Sequence, residues 1–308
     1  MMDRIDKQSF LDEYKLHDIY KESLISWDTI EEIINAYQRN MEIVMEPVRQ
    51  KLENLLKKEL FSKDFQGKVH SVESRLKEPL HLAEKIVRKI CIEDSDKYKN
   101  INKDNYHDIV RDLIGIRILV LAKENWEEVH DKLCDIFPRE TCKKGQSGYM
   151  VEKPRAYIRY GDRDVFGNKI KTDYTNKGYR SQHYIIYLEG LHCEIQVRTI
   201  SEEVFGEFDH YVRYPYRSKN KFLVRYTNTV SQITSMVDEL VSTCLQMRGD
   251  MWDQCAEFFE DDNYQTFEKS SKPVNVGQQN VSEMYLPKEA DQLTRNKLMR
   301  KMNREKGN

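Results

Sequence analysis

The chain is 308 residues long, 33% of them charged, with a formal net charge of −2. That length leaves room for one large or two modest domains, and the near balance of charge excludes a globally basic duplex-binding protein, so an anion must be held by local clusters. Cys91, Cys134, Cys142, Cys193, Cys244 and Cys255 form no CxxC and no paired spacing. No signal peptide and no apolar run near the ~18 residues that span a bilayer is visible, so a cytoplasmic protein with free thiols and no membrane contact is expected.

From Asp28, the residues Ile30, Ile34, Tyr37, Met41, Val44 and Val48 alternate at steps of four and three, predicting a helix that Pro47 kinks or divides. Its apolar side is expected against the core; a partner-binding coiled coil is the other reading. A second helical element is expected between Ser71 and Ile90, with Pro79 in a first turn. Leu80, Ala83, Val87 and Ile90 form its apolar stripe, with Lys85, Arg88 and Lys89 away from it. Arg75 and Lys77 stand just upstream, where the chain can still be extended.

Ile114 to Ala122 reads as a buried strand entered by Arg111 and Asp112, and Trp126 to Phe137 as a short amphipathic helix. Residues 139–178 have no firm period and read as loops with short strands. Asn176 to Thr199 then forms a loop and a β-hairpin. Its second strand alternates, with Glu194, Gln196 and Arg198 on one face and Cys193, Ile195 and Val197 on the other. Ser201 is placed as an N-cap, ahead of a helix with Val204, Phe208 and Tyr211 on one face.

Tyr226, Val230, Ile233, Val237, Leu240, Cys244, Met247 and Met251 keep a 4-3 spacing, which predicts a long helix with one apolar seam. The seam is expected to pack on its own domain, with dimerisation as the alternative. From about Asp261 the chain turns polar and aperiodic, and disorder is expected. Its basic end, Leu293 to Lys306, is either a solvated tail or a nucleic-acid contact.

The polar residues of these segments suit phosphoryl or pyrophosphoryl transfer, which needs carboxylates for Mg²⁺, cations for polyphosphate and a base near the attacking hydroxyl. Asp112, just before one buried strand, and Glu194, on a second, can meet across a sheet and share a metal. Arg75, Lys77, Lys85 and Arg88 supply cations, and Tyr179 beside Gly178 gives an exposed aromatic for a nucleobase.

GYRSQH followed by EIQVRT resembles the paired signatures of the synthetase domain of RelA/SpoT proteins. Arg75, Leu76 and Lys77 before a helix bearing Lys85 resemble the family's ATP-side motif. Asp112 to Arg117 resembles its metal-binding strand, and Phe208 to His210 through Arg213 and Tyr214 the helix after EIQVRT. The likeness covers about residues 65–217 and implies an α+β fold: a nucleotidyltransferase-like mixed β-sheet flanked by helices, with an N-terminal helical segment (1–64), a long C-terminal helix (218–260) and a polar tail (261–308).

The resemblance implies transfer of pyrophosphate from ATP to the 3′-hydroxyl of GDP or GTP, giving (p)ppGpp. Arg75 would grip adenine, and Lys77, Lys85 and Arg88 would serve the ATP side. Asp112 and Glu194 would bind Mg²⁺, with Glu194 also the base. Tyr179 would stack on guanine, while His183, Gln196 and Arg198 would line the ribose and phosphates. Arg117 is either a structural ion-pair partner of a sheet carboxylate or a ligand contact.

Three departures stand out: His81 where a serine is usual, Ser74 where a glycine is frequent, and a short loop from Lys171 to Gly178 in which Lys171 or Lys177 would replace a phosphate-gripping lysine. They bear on the acceptor more than on the reaction. A toxic relative that modifies the 3′ end of tRNA or an adenosine nucleotide, restrained by an antitoxin or other inhibitory protein, is the alternative; a catalytically dead nucleotide binder is a third reading. The roughly 65 residues before the motifs are too few for the hydrolase domain of the long enzymes. His17–Asp18, His107–Asp108 and His130–Asp131 are read as chance dipeptides, and a small, synthetase-only, homo-oligomeric member is expected.

Overall fold

The computed structural model describes residues 6–139, 148–162, 164–175, 178–213 and 220–259. Lys177, Tyr214 and the tail from 261 onward, basic end included, lie outside the described residues. Helix α1 (Lys7–Glu13) is capped by the Asp6 side chain, and α2 (Trp27–Asn40) by Ser26, whose Oγ accepts the Thr29 N–H at 3.1 Å. Helix α2 passes through a π-turn, Met41–Met45, into α3 (Glu46–Leu60), and the Glu46 N–H reaches back five residues to Met41 O.

That extra residue corrects the sequence reading. A continuous stripe predicts Val44 inside, whereas Val44 is 43% exposed and Met45 is 1% exposed. Pro47 lacks the N–H that a regular turn would use, so the ladder is re-spaced just before it. Past the π-turn the stripe resumes through Val48, Leu52 and Leu56, and the helices join one hydrophobic core running from Phe10 to Val197.

Strand β1 (Val69–Leu76) occupies the segment read as the start of a second helix. Helix α4 (Pro79–Cys91) begins only at the proline, which fixes φ for a first turn but disfavours helix before it. Helix α5 (Tyr106–Ile109) precedes β2 (Ile114–Val120), and α6 (Trp126–Ile136) follows it. Short strands β3 (Gly148–Met150), β4 (Arg155–Arg159) and β5 (Lys171–Thr175) lead to the hairpin β6 (Ser181–Leu188) and β7 (Leu191–Thr199). The sheet order is β1-β2-β7-β6-β4-β5, with β3 also pairing β6. Pairs β2/β7 and β4/β5 are parallel and the rest antiparallel, a mixed α+β sheet as expected.

Helix α7 (Ile200–Arg213) is capped by Thr199, not Ser201. The Glu202 N–H donates to Thr199 Oγ1 at 3.0 Å and the Thr199 N–H to Glu202 Oε2 at 2.9 Å, a reciprocal capping box. The turn therefore sits two residues earlier and buries Phe205, leaving Val204, Phe208 and Tyr211 exposed.

Helix α8 (Lys221–Phe259) is long, as expected, but docks by a different face. Thr227, Ser231, Thr234, Ser235, Asp238 and Ser242 are buried, while Tyr226, Ile233, Val237, Leu240 and Met247 are 43–67% exposed. The two sets are parallel series displaced by one residue, about 100° around the helix. The core presents polar groups to α8, and only the polar series can satisfy them. Among the described residues, those up to Met251 form one compact unit.

Candidate active site

Strand pairing aligns six side chains in one row across the sheet: Glu73, Arg117, Gln196, His183, Arg155 and Lys171 on successive neighbours. Because side chains alternate, the whole row shares a face, with the core-filling Ile116, Ile195 and Val197 on the other. A cleft of about 270 Å³ opens over the β1–β2–β7 end of this face, lined by Arg75, Lys77, Asp112, Arg117, Glu194 and Gln196, with His81 at its margin.

Asp112 stands in the turn before β2. Its Oδ2 accepts from Lys77 Nζ at 3.1 Å and pairs with Lys85 Nζ at 2.7 Å, while its buried Oδ1 has no partner. Burial opposes the Asp112 charge, but the two ammoniums outweigh it and hold the carboxyl well below its usual range. Lys85 comes up from α4 and is not a solvent-facing lysine; burial works against its charge and Asp112 restores it, leaving its pKa raised. Tyr37 from α2 fixes the β1–α4 junction by donating to Lys77 O at 2.5 Å. Arg75 is exposed on the cleft wall, and no carboxylate among the described residues lies within ion-pairing distance of it.

Glu194 connects this cleft to a closed ring of hydrogen bonds. Its Oε1 lies 3.0 Å from His183 Nδ1 and its Oε2 accepts from Gln196 Nε2 at 2.6 Å. Arg198 Nη2 donates to Gln196 Oε1 and to the Tyr179 hydroxyl, both at 2.6 Å, and that hydroxyl lies 3.0 Å from His183 Nε2. One assignment satisfies every atom: Arg198 gives to Tyr179, Tyr179 to His183 Nε2, and His183 Nδ1–H to Glu194. Burial alone would raise the Glu194 pKa; the His183 bond, and Gln196 after it, bring it below the ordinary glutamate value.

Tyr179 is therefore not the exposed aromatic read from the sequence. It is half-buried, its hydroxyl is drawn inward, and the Arg198 guanidinium carbon lies 5.0 Å from its ring centroid. Arg117 pairs with Glu203 and with Glu207 (2.7 Å) of α7, so its carboxylates come from a helix, not a sheet strand. Arg88 is taken up by Glu84 and Glu93 and does not line the cleft. Lys171 sits on the edge strand β5, 54% exposed and 3.9 Å from Asp173, away from the cleft. Sequence reasoning missed Arg180, which is buried beside Tyr179, and Glu203, which holds Arg198 at 2.8 Å. Arg180 is the one residue of GYRSQH whose type, a charge inside an otherwise strand-forming motif, could have signalled a buried ion pair.

Residues 74–219 match a family model described as a region found in RelA and SpoT proteins. Small alarmone synthetase 1 from Bacillus subtilis, solved with its product pppGpp, shares the fold: TM-score 0.51 and 19% identity, covering 70% of this chain and 98% of that one. A GTP pyrophosphokinase family protein from Streptococcus pneumoniae is also similar, with TM-score 0.49 and 18% identity over 75% of this chain and 96% of that one. No curated protein sequence is close enough to match. The motifs, the mixed sheet that aligns them and the family match over the same residues agree: residues 74–219 of this chain form a region of the kind found in RelA and SpoT proteins, on a fold shared with small alarmone synthetase 1.

Proposed function

We propose that this chain transfers the β,γ-pyrophosphate of ATP to the ribose 3′-hydroxyl of GDP or GTP, making (p)ppGpp. The observation that carries the reading is the double engagement of Glu194. It lines the cleft with Arg75, Lys77 and Asp112, and it is bonded into the ring that holds Tyr179. A carboxylate shared by a cleft that holds Arg75 and Lys77 and a hydrogen-bonded ring that holds an aromatic suits a reaction between two nucleotides. The similar small alarmone synthetase 1 is described with pppGpp, a guanine nucleotide.

In this reading Arg75 and Lys77 hold ATP, Lys85 neutralises Asp112 from beneath, and Tyr179 offers the open part of its ring to guanine. The 3′-oxygen attacks the β-phosphorus, the bond from that phosphorus to the bridging oxygen of AMP breaks, and Glu194 takes the hydroxyl proton. The ordinary obstacle is the poor nucleophilicity of a neutral hydroxyl; Glu194, ionised at neutral pH, sits where it can relieve it. Mg²⁺ fits the donors present: hard carboxylate oxygens, one of them the partnerless Asp112 Oδ1, with substrate phosphates to complete the shell. When bound it would neutralise charge on the polyphosphate.

The same proposal includes a homo-oligomer, for which the open seam of α8 is the available surface. The exposed or half-buried positions flanking that seam between Tyr226 and Cys244 (Thr229, Met236, Val241 and Thr243) carry no charge to repel a second copy, while Arg248 flanks its far end at Met247. No helix among the described residues is long and apolar enough to cross a membrane.

The test is incubation of the purified chain and Mg²⁺ with γ-labelled ATP and, separately, GDP, GTP, adenine nucleotides or deacylated tRNA. Label on GDP or GTP is the expected result. Label on tRNA or an adenine nucleotide alone replaces the acceptor, and label nowhere refutes the activity.

A further inference from the structure

The turn that carries Tyr179 is held from both sides. Thr175 Oγ1, at the end of β5, donates to Tyr179 O at 2.9 Å. From α8, Ser231 Oγ donates to Gly178 O at 3.1 Å, and Asp238 Oδ2 accepts from Arg180 Nη1 at 2.8 Å. Arg180 Nη2 also donates to Thr234 Oγ1 at 3.3 Å, and its Nη1 lies 3.7 Å from Glu202 at the start of α7. Arg180 and Asp238 are each 2% exposed, so this is a buried ion pair.

The fit around Gly178 is equally close. Gly178 has φ +77°, in the left-handed region, and a Cβ built there would lie 2.3 Å from Ser231 Oγ. Helix α8 therefore touches the residues immediately before and after Tyr179, and it touches them with its polar face. An attachment of α8 by burial alone would use the apolar seam, which stays outside. A buried ion pair contributes little net stability compared with apolar packing, but it fixes one geometry, because either charge without the other is strongly disfavoured there.

We propose that Asp238 and Ser231 are positioning residues for the acceptor nucleotide: from α8 they hold Gly178–Arg180 in the conformation that presents Tyr179 to it. Neither touches the reacting atoms. Their effect passes through two residues of backbone, and it falls on the acceptor side, because nothing on α8 lines the ATP cleft. Undocking of α8 then loosens acceptor binding while leaving ATP held. The inference rests on the reading of Tyr179 as the acceptor's platform.

The experiment compares wild type, Asp238→Asn, Asp238→Glu, Ser231→Ala and Ser242→Ala as full chains. Ser242 is buried on the same face about one turn beyond Asp238 and is a control for docking in general. Steady-state kinetics are measured with ATP and with GDP or GTP varied in turn, beside hydrogen exchange of the amides of residues 178–181. Asp238→Asn should raise the acceptor KM roughly ten- to hundred-fold with the ATP KM within about twofold, and speed exchange of the turn. Ser231→Ala should do the same more weakly. Asp238→Glu should recover part of the loss, and Ser242→Ala should leave both KM values unchanged.

Equal changes in both KM values, or a fall in Tm with an unchanged acceptor KM, would overturn the proposal. Should the wild type transfer no pyrophosphate, the functional reading fails by itself, and the exchange measurement still decides the clamp. Unaltered exchange at 178–181 in Asp238→Asn then refutes it.

Discussion

The two halves of the site are built on opposite principles. In the half proposed for ATP, Asp112 leaves one buried oxygen without a partner and Arg75 has no carboxylate at ion-pairing distance among the described residues, in a cleft that is open. In the half proposed for the acceptor, Tyr179, His183, Glu194, Gln196 and Arg198 satisfy one another in a closed ring. The first half is incomplete and gains by taking in phosphate and cation. The second is complete, so an acceptor has to exchange existing hydrogen bonds for new ones, and most of its binding is compensation. Under the proposed function, the chain is prepared to bind ATP before it is prepared to bind the acceptor.

The largest expected effect lies where the halves meet. Glu194→Gln should lower kcat by about 10²–10⁴ while ATP affinity, measured by equilibrium binding, changes little. A variant that turns over normally would remove Glu194 as the base. Next comes the aromatic of the closed half: Tyr179→Ala should weaken acceptor binding by roughly 1–3 kcal/mol with ATP binding unchanged. Tyr179→Phe keeps the ring but breaks the hydrogen-bond cycle, and should cost only about 0.5–1.5 kcal/mol. If Phe proved as harmful as Ala, the hydroxyl network would matter more than stacking.

A smaller effect is expected from pH at the edge of the open half. His81 and His210 face one another with ring centroids 6.4 Å apart. Burial depresses the His81 pKa, aided by Lys77 and Arg75 and opposed by Glu78 and Glu84; at His210, an exposed residue, the partial shielding of the ring acts in the same direction, with His81 and Arg75 assisting and Glu207 and Asp209 opposing, so His81 carries most of the effect. A histidine whose folded pKa lies below 6.5 takes up protons on unfolding, so stability rises with pH until about 6.5 and is then flat. Acidification from pH 7.5 to 5.5 should lower Tm by on the order of a few degrees, and His81→Gln with His210→Gln should flatten that dependence. An unchanged slope in the double variant would assign the effect elsewhere.

The smallest effect concerns assembly and leaves both halves intact. Ile233→Glu with Leu240→Glu in the exposed seam of α8 should reduce the mass seen by light scattering if the chain associates. A monomeric wild type would dismiss the seam as an interface between copies.

The chemistry was more legible than the packing. Glu194, Gln196 and Arg198 could be placed on one face because a strand's period of two is unambiguous, and Pro79 marked a helix start because its ring permits little else. Three things were not readable. The π-turn at Met41–Met45 inserts a residue that no periodic template contains, so Val44 was put inside in place of Met45. In α8 the apolar series was the visible one, yet Arg180 and Asp162 in the core required the adjacent polar series; Ser235 donates to Asp162 at 3.2 Å and Asp238 accepts from Arg180. The inward turn of Tyr179 depends on Arg198, nineteen residues later in the chain. The last two misses are cases of a distant partner deciding what a local pattern leaves free.

The row of side chains from Glu73 to Lys171 has a further consequence for how errors in folding are handled. Sliding β7 by one residue against β2 would turn Glu194, Gln196 and Arg198 into the core and put Cys193, Ile195 and Val197 into the cleft. Buried charge and exposed aliphatic surface would both count against that arrangement. A chain folded out of register is therefore not a stable but silent enzyme; it is an unstable protein open to degradation. The same alternation that encodes the active site serves as its proofreading.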